Sequence, residues 1–448
     1  MTADAVGLRG ARVVVLGLAR SGVAAARALL EEGARVRALD AVDTPRVRAH
    51  ADALQGSEVV LGRLEPADIG DADLIVTSPG VAPWSPWLVA ARAGGVRVWS
   101  EIELAWRLGV HPVVAVTGTN GKTTTTEMTA ACLRASGMDA VAAGNIGTTT
   151  LVDLRGRHVA IVAEVSSFQL EHIDAFHAPV AVALNLAQDH LDWHGSMASY
   201  ARAKSRLFAD QTAADVAIVH DDPACRALVA GTTAEVVPFD ERSLPPGGAG
   251  VVGGWIEVPQ GRVVALERLS INTRPMIADA VAAAAAACAA GADPLRAGEA
   301  LAAYRPGPHR VQTIAQIDGV TFVDDSKATD PHATLAALED RANVVLIAGG
   351  RNKGNDLSEL TAAAAALEAV VAIGEAADEI VRAFEATPVP VERAGSMEDA
   401  VLIAHERVKP GGTVLLSPAC ASFDMFENYE ARGAAFRDAV ERRRGGNR

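Results

Sequence analysis

The segment Val113-Val114-Ala115-Val116-Thr117-Gly118-Thr119-Asn120-Gly121-Lys122-Thr123-Thr124 carries an apolar strand into a glycine turn, then into a helix that opens on Lys-Thr. That order suits a phosphate group. Glycines let backbone N–H groups turn toward phosphate oxygens, and a helix amino end adds a favourable dipole. From this position Lys122 reaches a β- or γ-phosphate and the Thr123 hydroxyl holds Mg2+. The spacing is G-x-x-G-K-T, because the first glycine of the longer phosphate-loop pattern would fall on Val116. The plainer alternative is an ordinary β–α turn. Glu164 closes another apolar strand in Val162-Ala163-Glu164 and offers a hard oxygen to Mg2+ beside that loop; a surface carboxylate at a strand end is the competing account. Asn185-Leu-Ala-Gln-Asp189-His190-Leu-Asp-Trp-His194 also follows a strand and reads as a metal or substrate loop. No His/Cys cluster supports zinc there, and His194 reads as a solvated loop residue.

A second glycine turn, Gly17-Leu18-Ala19-Arg20-Ser21-Gly22, follows a strand, with Asp40 at the end of the next one. The pattern is close to a dinucleotide fingerprint, but Ala19 replaces the glycine that lets backbone approach a pyrophosphate. A nucleotide diphosphate other than NAD fits better, and a ligand-free β–α turn remains open.

The elements that must position these residues alternate along the chain. Strands are expected at Arg12–Leu16, Arg35–Leu39, Leu74–Val76, Val113–Val116, His158–Glu164, Val180–Asn185, Thr321–Asp324, Val344–Ala348, Val370–Ile373 and Thr413–Ser417, with a helix over Val23–Glu32. Strands alternating with helices indicate parallel α/β sheets. Pro245–Gly254 reads as a surface turn between strands, Ala280–Ala290 as a buried Ala-rich helix, and Arg305-Pro306-Gly307-Pro308 as a linker. The 448 residues fit about three domains. Half the residues are hydrophobic, which supplies a core, and the net charge of −14 argues against nucleic acid or an anionic membrane as partner. Four scattered cysteines fit a reducing compartment. The opening MTADAVGLRG has no apolar signal segment, and no run approaches the ~20 residues of a membrane span. A cytoplasmic protein without membrane insertion is therefore expected.

Taken in order, several segments together resemble the Mur ligase family. They are Gly118–Thr123, Gly144-Asn145-Ile146-Gly147, Glu164–Glu171, Asp189-His190, Pro308-His309-Arg310, Asp325-Ser326-Lys327-Ala328-Thr329 and Leu416–Asp424. Ser166–Glu171 and Ser417–Asp424 are similar to the branch that adds D-glutamate, and the D-N-P-R motif of the diamino-acid-adding relatives is absent. The resemblance implies an α/β protein of three domains. Residues 1–98 would form a Rossmann-like domain for a UDP-linked substrate, 99–304 a central P-loop ATPase-like domain for ATP, and 305–448 a Rossmann-like domain for the amino acid. It implies an ATP-dependent ligase, with ATP and Mg2+ as cofactors and UDP-N-acetylmuramoyl-L-alanine and D-glutamate as substrates, in peptidoglycan precursor synthesis. The enzyme is expected to be a monomer.

Carried over from the resemblance, Gly118, Thr119, Asn120, Gly121, Lys122, Thr123, Thr124, Arg310, Asp325 and Lys327 would contact ATP. Thr123 and Glu164 match one magnesium site. His190 and Lys204 match a second, with Lys204 as the lysine that is carbamylated in the family. Lys122, His190 and Lys204 would carry the catalysis. Ser78 and Asn145 would meet the UDP-linked substrate, and Thr329, Lys353, Ser422 and Tyr429 the D-glutamate. From the residues alone Lys204 is a helix-surface lysine, Lys327 a turn lysine and Ser422 a helix N-cap. Two stretches depart from the family. Arg274-Pro275-Met276-Ile277-Ala278-Asp279 stands where a His-Asn pair meets adenine, and Ala41-Val42-Asp43 stands where a Thr-Arg pair is expected. Three alternatives stay open: another member of the family, a folylpolyglutamate synthetase, or an NAD(P)-dependent oxidoreductase.

Overall fold

Three β-sheets organise the chain, in a computed structural model that describes residues 7–270, 273–339 and 341–446. The first six residues of the opening segment lie outside the described residues. Backbone contacts divide the chain into two units. The first comprises residues 1–186, 193–272 and 276–304, and the second 187–192, 273–275 and 305–448.

The first unit holds two sheets. One is fully parallel, in the order Glu58–Leu61, Arg35–Asp40, Arg12–Leu16, Leu74–Thr77, Arg97–Ser100. Its central strands are Val/Ile/Leu runs buried on both faces, as a sheet covered by helices on both sides requires. Helix Arg20–Glu31 buries Val23, Ala25, Ala26, Ala28 and Leu29 along one stripe. The second sheet has nine strands, with its parallel core in the order Glu235–Asp240, Val216–His220, Val180–Ala183, Val114–Thr117, Ala160–Glu164, Ala140–Gly144. The Ala-rich helix Arg274–Ala289 packs into its core, with Ala280 to Ala287 almost wholly buried.

Pro245–Gly254 is more than a turn. Ala249–Val252 extends the sheet and folds back on Trp255–Val258 as an antiparallel hairpin. Gly253 and Gly254, at φ 55° and 79°, form its two-residue loop, a conformation that favours glycine over other residues. The strand expected to reach Asn185 stops at Ala183, because Asn185 turns its side chain to the phosphate loop.

Glu103 ties the two sheets of this unit together. Buried on helix Glu101–Arg107, its carboxylate accepts the N–H groups of Asp174, Ala175 and Phe176 at 2.7–3.0 Å and pairs with Arg107 at 2.7 Å. Removing it takes the shared acceptor from the Asp174, Ala175 and Phe176 amides, the last of them buried, and leaves Arg107 with its pairing to Asp174 at 2.7 Å. Glu103→Ala is expected to cost about 3 kcal/mol, read as a lower midpoint of the first thermal unfolding transition.

The second unit holds a six-stranded sheet in the order Gln312–Ile317, Val320–Asp324, Thr413–Leu416, Val344–Gly349, Leu367–Ile373, Val391–Arg393, parallel except for the first pair. Among the described residues, no helix is long and apolar enough to cross a membrane.

Candidate active site

In the first unit the functional side chains gather at the carboxyl ends of the strands of the nine-stranded sheet, where open α/β sheets bind ligands. Val114–Thr117 lies between Ala160–Glu164 and Val180–Ala183, so the loop Gly118–Gly121 leaves the sheet flanked by Glu164 and Asn185. Asn185 holds the loop open. Its Oδ1 accepts the N–H groups of Thr119 at 3.0 Å and Asn120 at 2.8 Å, and its Nδ2 donates to the Asn120 carbonyl at 3.1 Å. Gly121 adopts φ 82°, a conformation that favours glycine, and a Cβ there would lie 2.1 Å from Asp279 Oδ1 and push that carboxylate aside. Asp279 Oδ1 also accepts the Thr125 hydroxyl at 3.1 Å. Within the departing stretch Arg274–Asp279, the residue that reaches the phosphate loop is thus a carboxylate. Helix Lys122–Ala135 starts directly after Gly121, and Lys122 Nζ donates to the carbonyls of Gly118 at 3.0 Å and Thr119 at 2.7 Å.

Glu164 is 3 % exposed, which excludes the surface-carboxylate alternative. Asn145 Nδ2 donates to its Oε1 at 3.0 Å, while its buried Oε2 has no hydrogen-bond partner among the described residues. A buried carboxylate oxygen left over in this way is costly unless something positive meets it. Beside a loop that opens on Lys122-Thr123, a hard divalent cation fits.

Lys204 departs most from its local reading. It is 1 % exposed and not on the surface. Helix Met197–Ser205 turns it inward, so that Nζ donates to the Gly118 carbonyl at 2.7 Å and lies 4.6 Å from the Tyr200 ring centre. Tyr200 meets the Thr119 hydroxyl at 3.1 Å. His194 is buried rather than solvated. Its Nε2 lies 2.9 Å from Ser167 Oγ, and its ring packs against Phe168, Trp193 and Tyr200.

The Gly17 turn is built without slack. Gly17 has φ 88°, a Cβ on Gly22 would fall 1.8 Å from the Gly17 carbonyl, and Ser78 Oγ donates to that same carbonyl at 2.9 Å. Asp40 accepts the N–H groups of Leu18 at 2.6 Å and Val42 at 2.8 Å. A carboxylate spent on backbone amides is poorly placed to read a ribose, which further weakens the NAD alternative.

The second unit gathers the remaining candidates. His190, at φ 55°, has Nε2 3.0 Å from Asp189 Oδ2, and Lys353 Nζ lies 2.6 Å from Asp189 Oδ1. Asp325 is buried just after strand Val320–Asp324. Burial raises its pKa to about 7, although Ser417 Oγ at 2.8 Å and the Val311 N–H at 3.1 Å donate to it. Lys327 Nζ stands 5.1 Å from the Tyr429 ring centre rather than alone in a turn. The turns 325–329 and 417–422 are laced together by the Ala419 N–H on the Ala328 carbonyl at 3.1 Å and by Arg432, whose buried guanidinium spans Ser326 and the Cys420 carbonyl. Burial lowers the Arg432 pKa to about 10. Ser422 is buried, but the next helix begins only at Tyr429, so Ser422 does not cap it. Thr329 is half-buried and Arg310 likewise. The structure brings Lys122, Thr123, Glu164 and Lys204 into the first unit, whereas His190 belongs to the second. Asn185, Tyr200, Asp279 and Arg432 escape the sequence reading, because each acts through a contact distant in sequence.

Family models match all three regions. Residues 11–100 match the Mur ligase MurD-like N-terminal domain, 116–245 the Mur ligase middle domain, and 309–420 the Mur ligase glutamate ligase domain. The chain is 47 % identical to the UDP-N-acetylmuramoylalanine–D-glutamate ligase of Frankia casuarinae, over 97 % of this chain and 95 % of that one. It is 41 % identical to the protein of that name from Streptomyces coelicolor, over 96 % and 98 %. The chain belongs to the Mur ligase family. The fold is shared at lower identity with a pseudomurein peptide ligase type C from Methanothermus fervidus, at TM-score 0.61, 18 % identity and coverage of 96 % and 99 %. It is shared also with Escherichia coli FolC in complex with DHPP and ADP, at TM-score 0.56, 19 % identity and coverage of 77 % and 92 %.

Proposed function

We propose that this chain is an ATP-dependent ligase that joins D-glutamate to UDP-N-acetylmuramoyl-L-alanine in peptidoglycan precursor synthesis. The observation that carries the reading is the match along almost the whole chain to relatives of that name. The matched MurD-like N-terminal domain speaks for a Mur ligase over a folate enzyme, which shares the fold. The reading assigns 1–98 to the UDP-linked substrate, 99–304 to ATP and 305–448 to D-glutamate. It includes a cytoplasmic monomer.

A carboxylate is a poor electrophile, so the reaction proceeds in two displacements. An oxygen of the substrate's terminal carboxylate attacks the γ-phosphorus of ATP, and the bond to ADP breaks. The D-glutamate amine then attacks the acyl carbon; phosphate leaves with the bonding pair, and the amine proton passes to a base. Phosphoryl transfer of this kind is governed by positioning and charge neutralisation. Lys122, Thr123 and the loop amides held by Asn185 would cradle the phosphates. Glu164, with Thr123, would hold one Mg2+, and His190 with a carbamylated Lys204 a second. Bound there, Mg2+ supplies positive charge to the γ-phosphate and its neighbours. Arg310, Asp325 and Lys327 would complete the ATP contacts, Ser78 and Asn145 those of the UDP-linked substrate, and Thr329, Lys353, Ser422 and Tyr429 those of D-glutamate.

Phosphate release tests this reading: it is expected only when ATP, Mg2+, UDP-N-acetylmuramoyl-L-alanine and D-glutamate are all present, and release without the amino acid would contradict it. Asn145 has a second duty here, aiming Glu164. Asn145→Ala is expected to raise the Mg2+ concentration for half-maximal activity about tenfold, beyond any change in KM for the UDP-linked substrate.

A further inference from the structure

Glu101 opens helix Glu101–Arg107 at the point where the last strand of the first sheet, Arg97–Ser100, hands over to the central region. It is 3 % exposed. Its Oε1 accepts Gln169 Nε2 at 2.5 Å, and its buried Oε2 has no hydrogen-bond partner among the described residues. Burial holds this carboxyl above its usual range, and the hydrogen bond from Gln169 pulls the other way; an oxygen free to accept the Gln169 N–H remains in either protonation state.

Gln169 is spoken for at its other end. Its Oε1 accepts the Ser166 N–H at 2.7 Å and lies 2.9 Å from Ser166 Oγ, while Ser166 Oγ accepts the Gln169 N–H at 3.3 Å. This reciprocal pair caps helix Ser167–Leu170. A glutamine amide has two orientations of nearly equal shape with donor and acceptor exchanged. Turned over, Gln169 would set its NH2 against the Ser166 N–H, donor against donor. An oxygen at Glu101 that accepts from Nε2 selects the other orientation. Ser166 stands two residues after Glu164, so the same contact fixes the path of the chain as it leaves the strand that carries the carboxylate.

We propose that Glu101 is a positioning residue of the reaction: by selecting the orientation of Gln169 it fixes the Ser166 turn and hence the direction in which Glu164 Oε2 faces. The inference rests on the ligase reading above, in which Glu164 holds Mg2+. In this reading Glu101 acts through its contact with Gln169 rather than on the reacting atoms.

The test uses the full chain with Glu101→Ala, Glu101→Gln, Gln169→Ala and the double Ala variant, each checked for an unchanged unfolding midpoint. Glu101→Ala is expected to lower kcat about tenfold, to raise the half-activating Mg2+ concentration about tenfold and, without turnover, to weaken binding of Mn2+ followed by electron paramagnetic resonance about tenfold, with KM for ATP changed by less than about twofold. Glu101→Gln keeps an acceptor oxygen and is expected to stay within about threefold of wild type. The double variant is expected to be no worse than the poorer single one, because both act along one path. Should Glu101→Ala fail to fold, Glu101→Asp, which withdraws the acceptor by one methylene, takes its place with the same expectation. Unchanged kcat in Glu101→Ala, additive losses in the double variant, or Glu101→Gln as damaged as Glu101→Ala would each overturn the proposal. A wild type that releases no phosphate with all substrates present would instead overturn the ligase reading.

Discussion

Lys122→Ala is expected to lower turnover by about a thousandfold while leaving the unfolding midpoint within about 1 °C of wild type. The stability side follows from its surroundings. The Nζ of Lys122 donates to two carbonyls of its own loop, on a residue that is only half-buried. The loop backbone is held independently by Asn185 and by the close packing of Gly121 on Asp279. Truncating the side chain removes no core packing. The kinetic side follows from charge: a fixed cation at a transferring phosphoryl group, in a site closed to water, is worth a factor of about 10² to 10³ for a single donor. Single-turnover formation of ADP reads the chemical step directly. A variant retaining a tenth of wild-type turnover would contradict the role of Lys122 at the phosphates.

Lys204→Ala is expected to lose activity by at least about a hundredfold. Lys204 is the one buried lysine of the first unit's candidate site, and it reaches the Gly118 carbonyl of the phosphate loop. An ammonium there repels a divalent cation, whereas a carbamate, formed when the neutral amine adds to CO2 and loses a proton, offers it two oxygens. Activity of the wild type is therefore expected to fall when CO2 and bicarbonate are removed and to return when they are restored. In Lys204→Ala, millimolar acetate is expected to recover part of the loss by supplying a carboxylate in the vacated space. Lys204→Glu restores charge but not length, so only weak activity is expected. Full activity in Lys204→Ala, or a wild type indifferent to bicarbonate whose high-resolution map shows an unmodified lysine with Mg2+ bound, would contradict the carbamate.

The parts of the fold written in local pattern were legible. Val-rich runs bounded by glycine turns give the strands around Gly17, Gly118 and Asp325, since a strand buried on both faces needs a continuous apolar run. The hairpin within Pro245–Gly254 was hidden because its strands are short and its Pro and Gly content reads as a turn. Within the site, Gly121, Lys122 and Thr123 carry their role in their spacing. Lys204 does not: on a nine-residue helix its surroundings depend on which face meets the phosphate loop, 86 residues away, and only the family pattern singles it out. Arg432 is not singled out at all: it is a cation caged by the Ser326 hydroxyl and carbonyl, 106 residues away, and by the Gly349 carbonyl, 83 residues away. Asn185 and Glu101 belong to the same class. Each is an ordinary polar residue whose duty is to orient a neighbour, and nothing at their own positions reports it.

The identity of the amino acid tests the central claim most directly. Wild-type enzyme with ATP, Mg2+, bicarbonate and UDP-N-acetylmuramoyl-L-alanine is given one amino acid at a time, and phosphate release is followed alongside the mass of the product. Fixed donors for two carboxylates are left unpaired by an analogue that cannot fill them, which separates good from poor substrates by factors of about 10⁴ or more. D-glutamate is expected to support turnover, with a product heavier than the acceptor by one glutamate less water, while L-glutamate and meso-diaminopimelate support at most a trace. Faster ADP formation with meso-diaminopimelate than with D-glutamate would contradict the account.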